Sequence, residues 1–298
     1  MTDRRLTTKD FHPEVMQLFD QYVHGAIDRR AFLSEAGRYA AGAAGAAGLL
    51  AALSPRFAQA QQVSPEDTRL DAKFIDFDSP EGHGTGRGYL VRPAKAAGPL
   101  PLVLVIHENR GLNPHIEDVT RRMALENFIA FAPDALNPAG GYPGDEDQAR
   151  TLFRTVDQTK ARADFVAAAQ MLRKIEGGNG NLGAVGFCYG GSITNFLATQ
   201  VSQLRAAVPF YGSAAATDDV PNIKAEMLVV FAEKDDRVNA QWPAYKQALK
   251  AAGVTHDSVT YPGSMHGFNN DTTPRYDEEA AGKAWARTLA LFNRTLRA

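Results

Sequence analysis

Cys188 is the only cysteine in this 298-residue chain, and it stands in Gly186-Phe187-Cys188-Tyr189-Gly190-Gly191. An apolar run, Leu182-Gly183-Ala184-Val185, precedes it, and Ser192-Ile193-Thr194-Asn195-Phe196-Leu197-Ala198 follows with the apolar spacing of a starting helix. That order predicts a buried strand, a tight turn and a helix, the arrangement called a nucleophile elbow, with sulfur in place of the usual serine oxygen. Glycine on both sides lets helix and strand approach where a Cβ would clash. The helix N-terminus then directs partial positive charge at the thiol and favours thiolate, the form that attacks a carbonyl. The same residues also fit a plainer reading, a small buried hydrophobe among chance glycines. The choice between the two depends on what else the chain places at strand ends.

Three other stretches carry suitable groups. His107-Glu108-Asn109-Arg110-Gly111 follows an apolar run at residues 100–107, and Glu233-Lys234-Asp235-Asp236-Arg237-Val238 follows one at 227–232. Pro262-Gly263-Ser264-Met265-His266-Gly267-Phe268 follows a third at 258–261. His266 is the candidate base that helps hold the thiolate and later activates the water that cleaves a thioester. Asp235, with Asp236 as its rival, is the candidate acid that orients the imidazole through its second nitrogen. Glu108 directly after a buried strand is costly without a partner, and a salt bridge with Arg110 or another loop arginine is the plainer explanation for it. The order of nucleophile, acid and histidine is the one an α/β-hydrolase uses.

The elements needed to position these groups can be read from periodicity. Residues 72–77 and 88–92 predict opening strands joined by a glycine-rich turn at 82–86. Residues 100–107 have the near-continuous apolar character of a strand buried on both faces, and 129–132, 206–211, 227–232 and 258–261 predict further strands. Helical spacing covers 115–127, with Val119, Met123 and Leu125 inward, and 239–252 and 277–296. It also covers 148–175 as one long stretch, with Leu152, Phe153, Val156, Phe165, Val166 and Leu172 on its apolar face. This alternation predicts a doubly wound, mostly parallel sheet with helices on both faces, which binds ligands outside the carboxyl ends of its strands.

The motifs Ile106-His107-Glu108-Asn109-Arg110-Gly111-Leu112-Asn113, Gly186-Phe187-Cys188-Tyr189-Gly190-Gly191, Ala232-Glu233-Lys234-Asp235-Asp236-Arg237-Val238-Asn239 and Met265-His266-Gly267-Phe268 occur in this order. Together they make residues 71–296 resemble a dienelactone hydrolase (carboxymethylenebutenolidase) of the α/β-hydrolase fold. The resemblance implies a carboxylic ester hydrolase that opens dienelactone-like lactones, carboxymethylenebutenolide to maleylacetate, through a Cys188 thiolate and a thioester. It places the acid three residues before Val238, which selects Asp235. It also implies that Glu108 contacts the thiol and takes its proton when substrate arrives. The oxyanion is expected on the backbone N–H groups of Tyr189 and Asn109. Dienelactone hydrolases grip the substrate carboxylate with arginines, one of them four residues past the histidine. That position here is Asn270, so Arg275 on the same loop and Arg150 are the candidate grips, with Phe153, Tyr142, Tyr211 and Phe268 as candidate apolar lining. The departure keeps two alternatives open, a broad carboxylesterase and a non-catalytic thiol scaffold for redox sensing or ligand binding.

The N-terminus reads differently. Asp28-Arg29-Arg30-Ala31-Phe32-Leu33-Ser34 resembles a twin-arginine export signal, an Ala/Gly-rich run occupies residues 39–53, and Ala58-Gln59-Ala60 supplies a small-x-small cleavage pattern. Residues 1–60 are therefore expected to form an export region handled by the twin-arginine machinery. Residues 61–298 are expected to form one hydrolase domain, periplasmic or otherwise exported, while residues 1–27 find no explanation. The run is shorter and less apolar than the ~20 residues a membrane span requires. One cysteine excludes an intramolecular disulfide. A net charge of −2 gives no electrostatic footprint for nucleic acid. No His or Cys cluster has ligand spacing and no nucleotide-binding glycine pattern opens a helix, so neither a metal nor another cofactor is expected.

Overall fold

The computed structural model describes residues 4–40 and 42–298. The Ala/Gly run read at 39–53 includes Ala41, which lies outside the described residues. Eight strands form one sheet: β1 Leu70–Ser79, β2 Gly84–Pro93, β3 Leu100–Ile106, β4 Ile129–Pro133, β5 Gly178–Phe187, β6 Leu204–Phe210, β7 Glu226–Lys234 and β8 His256–Met265. Their spatial order is β1-β2-β4-β3-β5-β6-β7-β8. The hairpin β1–β2 and the β2–β4 pair are antiparallel, whereas every pairing from β4 across to β8 is parallel.

Eleven α-helices are described: α1 Pro13–His24, α2 Arg29–Ala36, α3 Gly42–Leu53, α4 Phe57–Ala60, α5 Pro114–Leu125, α6 Glu146–Phe153, α7 Gln158–Leu172, α8 Tyr189–Gln200, α9 Asp236–Asn239, α10 Trp242–Ala251 and α11 Glu278–Leu296. None is long and apolar enough to cross a membrane. The single helix expected over 148–175 is two, α6 and α7. The break falls where the Asp157 side chain accepts the N–H groups of Thr159 and Lys160 and caps a new helix. An N-cap signal inside an apolar-periodic stretch thus outweighed the continuity of the period.

The central strands are apolar on both faces because both are covered. Leu102, Leu104 and Ile106 of β3 face the layer formed by α7, α8 and α10, and Val103 and Val105 face the layer of α5 and α11. Burying each such side chain contributes about 1.5–3 kcal/mol. The chain leaves β3 through α5 to one side and returns over it to β5, whose helix α8 covers the other face. The strand order reverses between β3 and β5, the place where sheets of this kind bind ligands beyond the carboxyl ends of their strands. Glu108 and Cys188 follow those two strands there.

Residues 4–60 are folded against this body. In α1, the His12 side chain accepts the Glu14 N–H at the N-terminus, Pro13 occupies the first turn, and Gly25 with φ +77° closes the C-terminus. Val15, Met16, Phe19 and Tyr22 form its buried face and pack with Phe32, Ala36, Leu50 and Leu53. Arg29 and Arg30 open α2, where the Asp28 side chain caps the Ala31 N–H.

Candidate active site

Cys188 sits between β5 and α8 with φ +56° and ψ −111°, a conformation L-residues seldom adopt. The Cys188 N–H donates to the Phe210 carbonyl at 3.1 Å, and the Cys188 carbonyl accepts from Ser192 at the same distance, which holds the turn. A Cβ on Gly190 would lie 2.2 Å from the Ile106 carbonyl oxygen, so glycine is what allows α8 to start this close to β3. Tyr189 occupies the first position of α8, where a backbone N–H has no intrahelical acceptor. Asn109 lies in the turn after β3. These are the two residues expected to supply oxyanion donors.

His266 follows β8, buried, with Nδ1 2.6 Å from Asp235 Oδ2. Asp235 is itself the N-cap of α9, accepting from the Val238 N–H, and it is buried while Asp236 is exposed. The Tyr211 ring lies 4.9 Å from the imidazole, centroid to centroid, and packs it from one side. With Nδ1 engaged, Nε2 of His266 faces the thiol, and it is buried without a hydrogen-bond partner among the described residues.

A second imidazole that the sequence did not flag reaches the same sulfur. His24, the last residue of α1, brings Nε2 to 3.8 Å from Cys188 Sγ. Its ring meets that of His266 edge to face at 4.5 Å, and its Nδ1 lies 2.8 Å from the Asp20 carbonyl and 3.3 Å from the Asp20 carboxylate. Burial pushes the Cys188 thiol up, but the two imidazoles outweigh it and bring it down to about 6. Burial works against charging His24 and His266 as well. Asp20 and the thiolate raise the first, and the thiolate and Asp235 raise the second. The site thus holds sulfur as thiolate by facing it with cations. The sequence signal for His24 is Asp20 one turn before it on an amphipathic helix, within residues 1–27, for which the sequence offers no role.

Glu108 is placed otherwise than expected. Its carboxylate accepts from Asn270 Nδ2 at 2.8 Å, and Arg110 lies 3.7 Å from Glu146 instead of pairing with it. Among the described residues the partners of the thiol are His24 and His266, not Glu108. Asn270, where an arginine grip was looked for, is therefore the residue that meets the cost of burying Glu108.

The candidate grips are both engaged by α1. Arg150 donates to the Tyr22 carbonyl at 2.5 Å and lies 4.2 Å over the Tyr22 ring. Arg275 is buried, 5.3 Å over Phe19, and 3.9 Å from the Asp20 carboxylate. Phe268 is 0% exposed and packs on Tyr211, Phe210 and Tyr261, so it belongs to the core and not to a pocket wall. Phe153 lies beside the elbow, 4.7 Å from the Tyr189 ring. Tyr142 donates to Glu146 and packs on Phe57 of α4. For Arg150, Arg275 and the Tyr142 ring the contacts come from distant residues, Phe19, Asp20, Tyr22 and Phe57.

An eight-stranded α/β sheet with a strained Cys elbow, and with a His–Asp pair delivered from two later strands, defines an α/β-hydrolase. The comparisons narrow the class. A family model described as "Dienelactone hydrolase family" matches residues 87–296, and one described as "YqhI-like" matches residues 1–42. The "Putative carboxymethylenebutenolidase" of Escherichia coli strain K12 is 32% identical over 238 residues, covering 74% of this chain and 88% of that protein. The "Putative hydrolase fragment YghX" of the same strain is 54% identical over 107 residues, covering 36% of this chain and 92% of that protein. The crystal structure titled "Putative Dienelactone Hydrolase", from Klebsiella pneumoniae, superposes with a TM-score of 0.66 at 32% identity, over 75% of this chain and 99% of that one. The chain belongs to the dienelactone hydrolase family, and it is a carboxylic ester hydrolase.

Proposed function

We propose that the chain opens small dienelactone-like lactones of the carboxymethylenebutenolide type, giving maleylacetate-type products, through a thioester on Cys188. The observation that carries this reading is the 2.6 Å contact of His266 with Asp235, with Nε2 turned to a thiol on a strained elbow. Sγ attacks the carbonyl carbon, the C–S bond forms, and the carbonyl electron pair moves to oxygen, where the N–H groups of Tyr189 and Asn109 receive it. Collapse breaks the ring C–O bond, and the departing oxygen takes its proton from the His266 imidazolium. Neutral His266 then removes a proton from water, which attacks the thioester, and Sγ leaves as thiolate. Glu108 enters as a proton acceptor for the thiol only by exchanging its Asn270 contact for Sγ.

A second reading, a broad carboxylesterase with the same machinery, is favoured by one observation. Asn270 stands where an arginine grip was expected, and Arg150 and Arg275 are both held by α1. Hydrolysis of a dienelactone and of p-nitrophenyl acetate, measured side by side with the chain and with Cys188→Ala, separates the two. Rapid Cys188-dependent opening of the lactone with poor turnover of the acetate supports the first, and turnover of the acetate alone supports the second. Turnover of neither leaves the thiol scaffold.

Export to the periplasm by the twin-arginine route is proposed with it, on the Arg29-Arg30 motif, the Ala/Gly run and the Ala58-Gln59-Ala60 pattern. Residues 61–298 are then the hydrolase domain. Arg29→Lys with Arg30→Lys should keep the chain in the cytoplasmic fraction on cell fractionation, and unchanged partition would refute the route.

A further inference from the structure

Ester hydrolysis by a thiolate needs one imidazole, and this site has two. His24, Cys188 and His266 come from three elements, and their Nε2, Sγ and Nε2 atoms all lie within 4.8 Å of one another. Both rings are anchored in the same way at the other nitrogen: His266 Nδ1 on the Asp235 carboxylate at 2.6 Å, and His24 Nδ1 on the Asp20 carbonyl at 2.8 Å beside the Asp20 carboxylate. Anchoring Nδ1 by a carboxylate or carbonyl is what a metal-ligating histidine requires of its surroundings, because it keeps the proton on Nδ1 and leaves Nε2 as the nitrogen that gives up its proton to a metal. Nε2 of His266 is buried and has no hydrogen-bond partner among the described residues.

We propose that His24, Cys188 and His266 bind zinc(II), as two imidazole nitrogens and one thiolate with the fourth position left to water, and that zinc there switches the hydrolase off. The donor set selects a borderline-soft ion over magnesium or calcium, which take oxygen. An ideal tetrahedral centre with ordinary Zn–S and Zn–N bonds holds S and N about 3.5 Å apart, and Sγ and His24 Nε2 are 3.8 Å apart. Bound metal takes the sulfur lone pair that would attack the ester and the Nε2 lone pair that would accept the water proton, so both halves of the reaction stop. The third ligand is supplied by α1, 164 residues from the thiol in sequence, which is why ligand spacing along the chain gave no hint of the site. The site belongs to the chain that keeps residues 1–60 and is lost once cleavage after Ala60 removes α1; the inhibitory part rests on the reading of Cys188 as nucleophile, whereas the binding part does not.

The full chain is stripped with a chelator and titrated with zinc(II) against a chromophoric chelator, alongside His24→Ala, Cys188→Ser and Asp20→Asn, each checked for an unchanged melting transition. Cobalt(II) replaces zinc in a parallel series read by its thiolate-to-metal absorption. Expected are one zinc per chain, a thiolate band with cobalt, at least about tenfold weaker binding in His24→Ala and Cys188→Ser, and a smaller loss in Asp20→Asn. Wild-type affinity in His24→Ala, zinc bound in no fixed ratio, or cobalt without the thiolate band would overturn the site. If His24→Ala melts early, His24→Gln, which keeps bulk and polarity, carries the comparison. Hydrolysis is followed separately with chelator present. Cys188-dependent turnover without zinc binding sinks this inference and leaves the proposed function. Zinc binding without any turnover in chelator sinks the inhibition and the proposed function but keeps the site.

Discussion

In the hydrolase body, β3 and β5 bury side chains on both faces, Leu102, Leu104, Leu182 and Ala184 toward one layer and Val103, Val105, Val185 and Phe187 toward the other. In the N-terminal helices, Val15, Met16, Phe19, Tyr22, Phe32, Ala36, Leu50 and Leu53 form a small cluster of their own, against which Met265 is the body residue that packs. The two regions meet through polar contacts: Arg150 on the Tyr22 carbonyl, Arg29 on Asp147, Asn109 and Arg110 on the Val23 carbonyl, and Arg154 on the Gly25 carbonyl. The body is thus held by burial, and the N-terminal region is positioned on it by directed hydrogen bonds. Such a seam fixes where a side chain points without making either core depend on the other, and it delivers His24 to the thiol.

Substitutions in each region show whether the two act separately. If the chemistry belongs to the body, Cys188→Ala should lower ester turnover by on the order of 10⁴-fold or more in a steady-state assay, with folding intact. Two cavities test whether the cores are separate. Leu104→Ala should cost about 2–5 kcal/mol in denaturant unfolding of the whole chain. Phe19→Ala should cost about 3–5 kcal/mol locally, seen as faster amide exchange in residues 13–24 with the sheet's protection unchanged. Equal loss of protection in both regions would mean one cooperative unit. Glu108→Gln should slow single-turnover acylation by roughly 10²-fold if the carboxylate leaves Asn270 to take the thiol proton. Unchanged acylation would leave Glu108 as the partner of Asn270 alone.

The smallest effect belongs to the first residues of the body, where Gln62 meets Asp271. Burial acts to raise the Asp271 carboxyl, but His115 and Arg122 outweigh it and hold it at about 2, below its usual 3.8. Asp271 also accepts from the Gln62 side chain at 2.8 Å. A carboxyl depressed on folding adds stability above its unfolded value, and that stability is lost as pH falls through the folded one. Exchange protection around Gln62 and Val63 should therefore weaken between about pH 4 and pH 2, and Asp271→Asn should remove that pH dependence.

Much of the body was legible because its signals are local. The short apolar run at β3 suits a strand covered on both faces, and the glycines about Cys188 suit a tight turn between strand and helix. His266 and Asp235 could be located because each directly follows a strand. The Asp157 cap was equally local but was hidden inside a continuous apolar period. What periodicity could not show was the partner of each polar side chain. Glu108 found Asn270, and Arg150 and Arg275 found α1, since those pairings join residues that no spacing rule connects. Phe268 was open between pocket and core for a related reason, because an aromatic two residues past His266 reads the same whether it faces substrate or core, and packing puts it in the core.

Sequence alone determined most of the elements and put Cys188, Asp235 and His266 directly after three strands in that order, because strand, turn and helix propensities act over a few residues. Tertiary structure decided that α1 lies against the turn after β3 and the Cys188 elbow, and that the thiol faces two imidazoles and not one. Those contacts arise when a helix with its own small core docks by hydrogen bonds on a distant surface, and nothing within the reach of local propensity fixes where it lands.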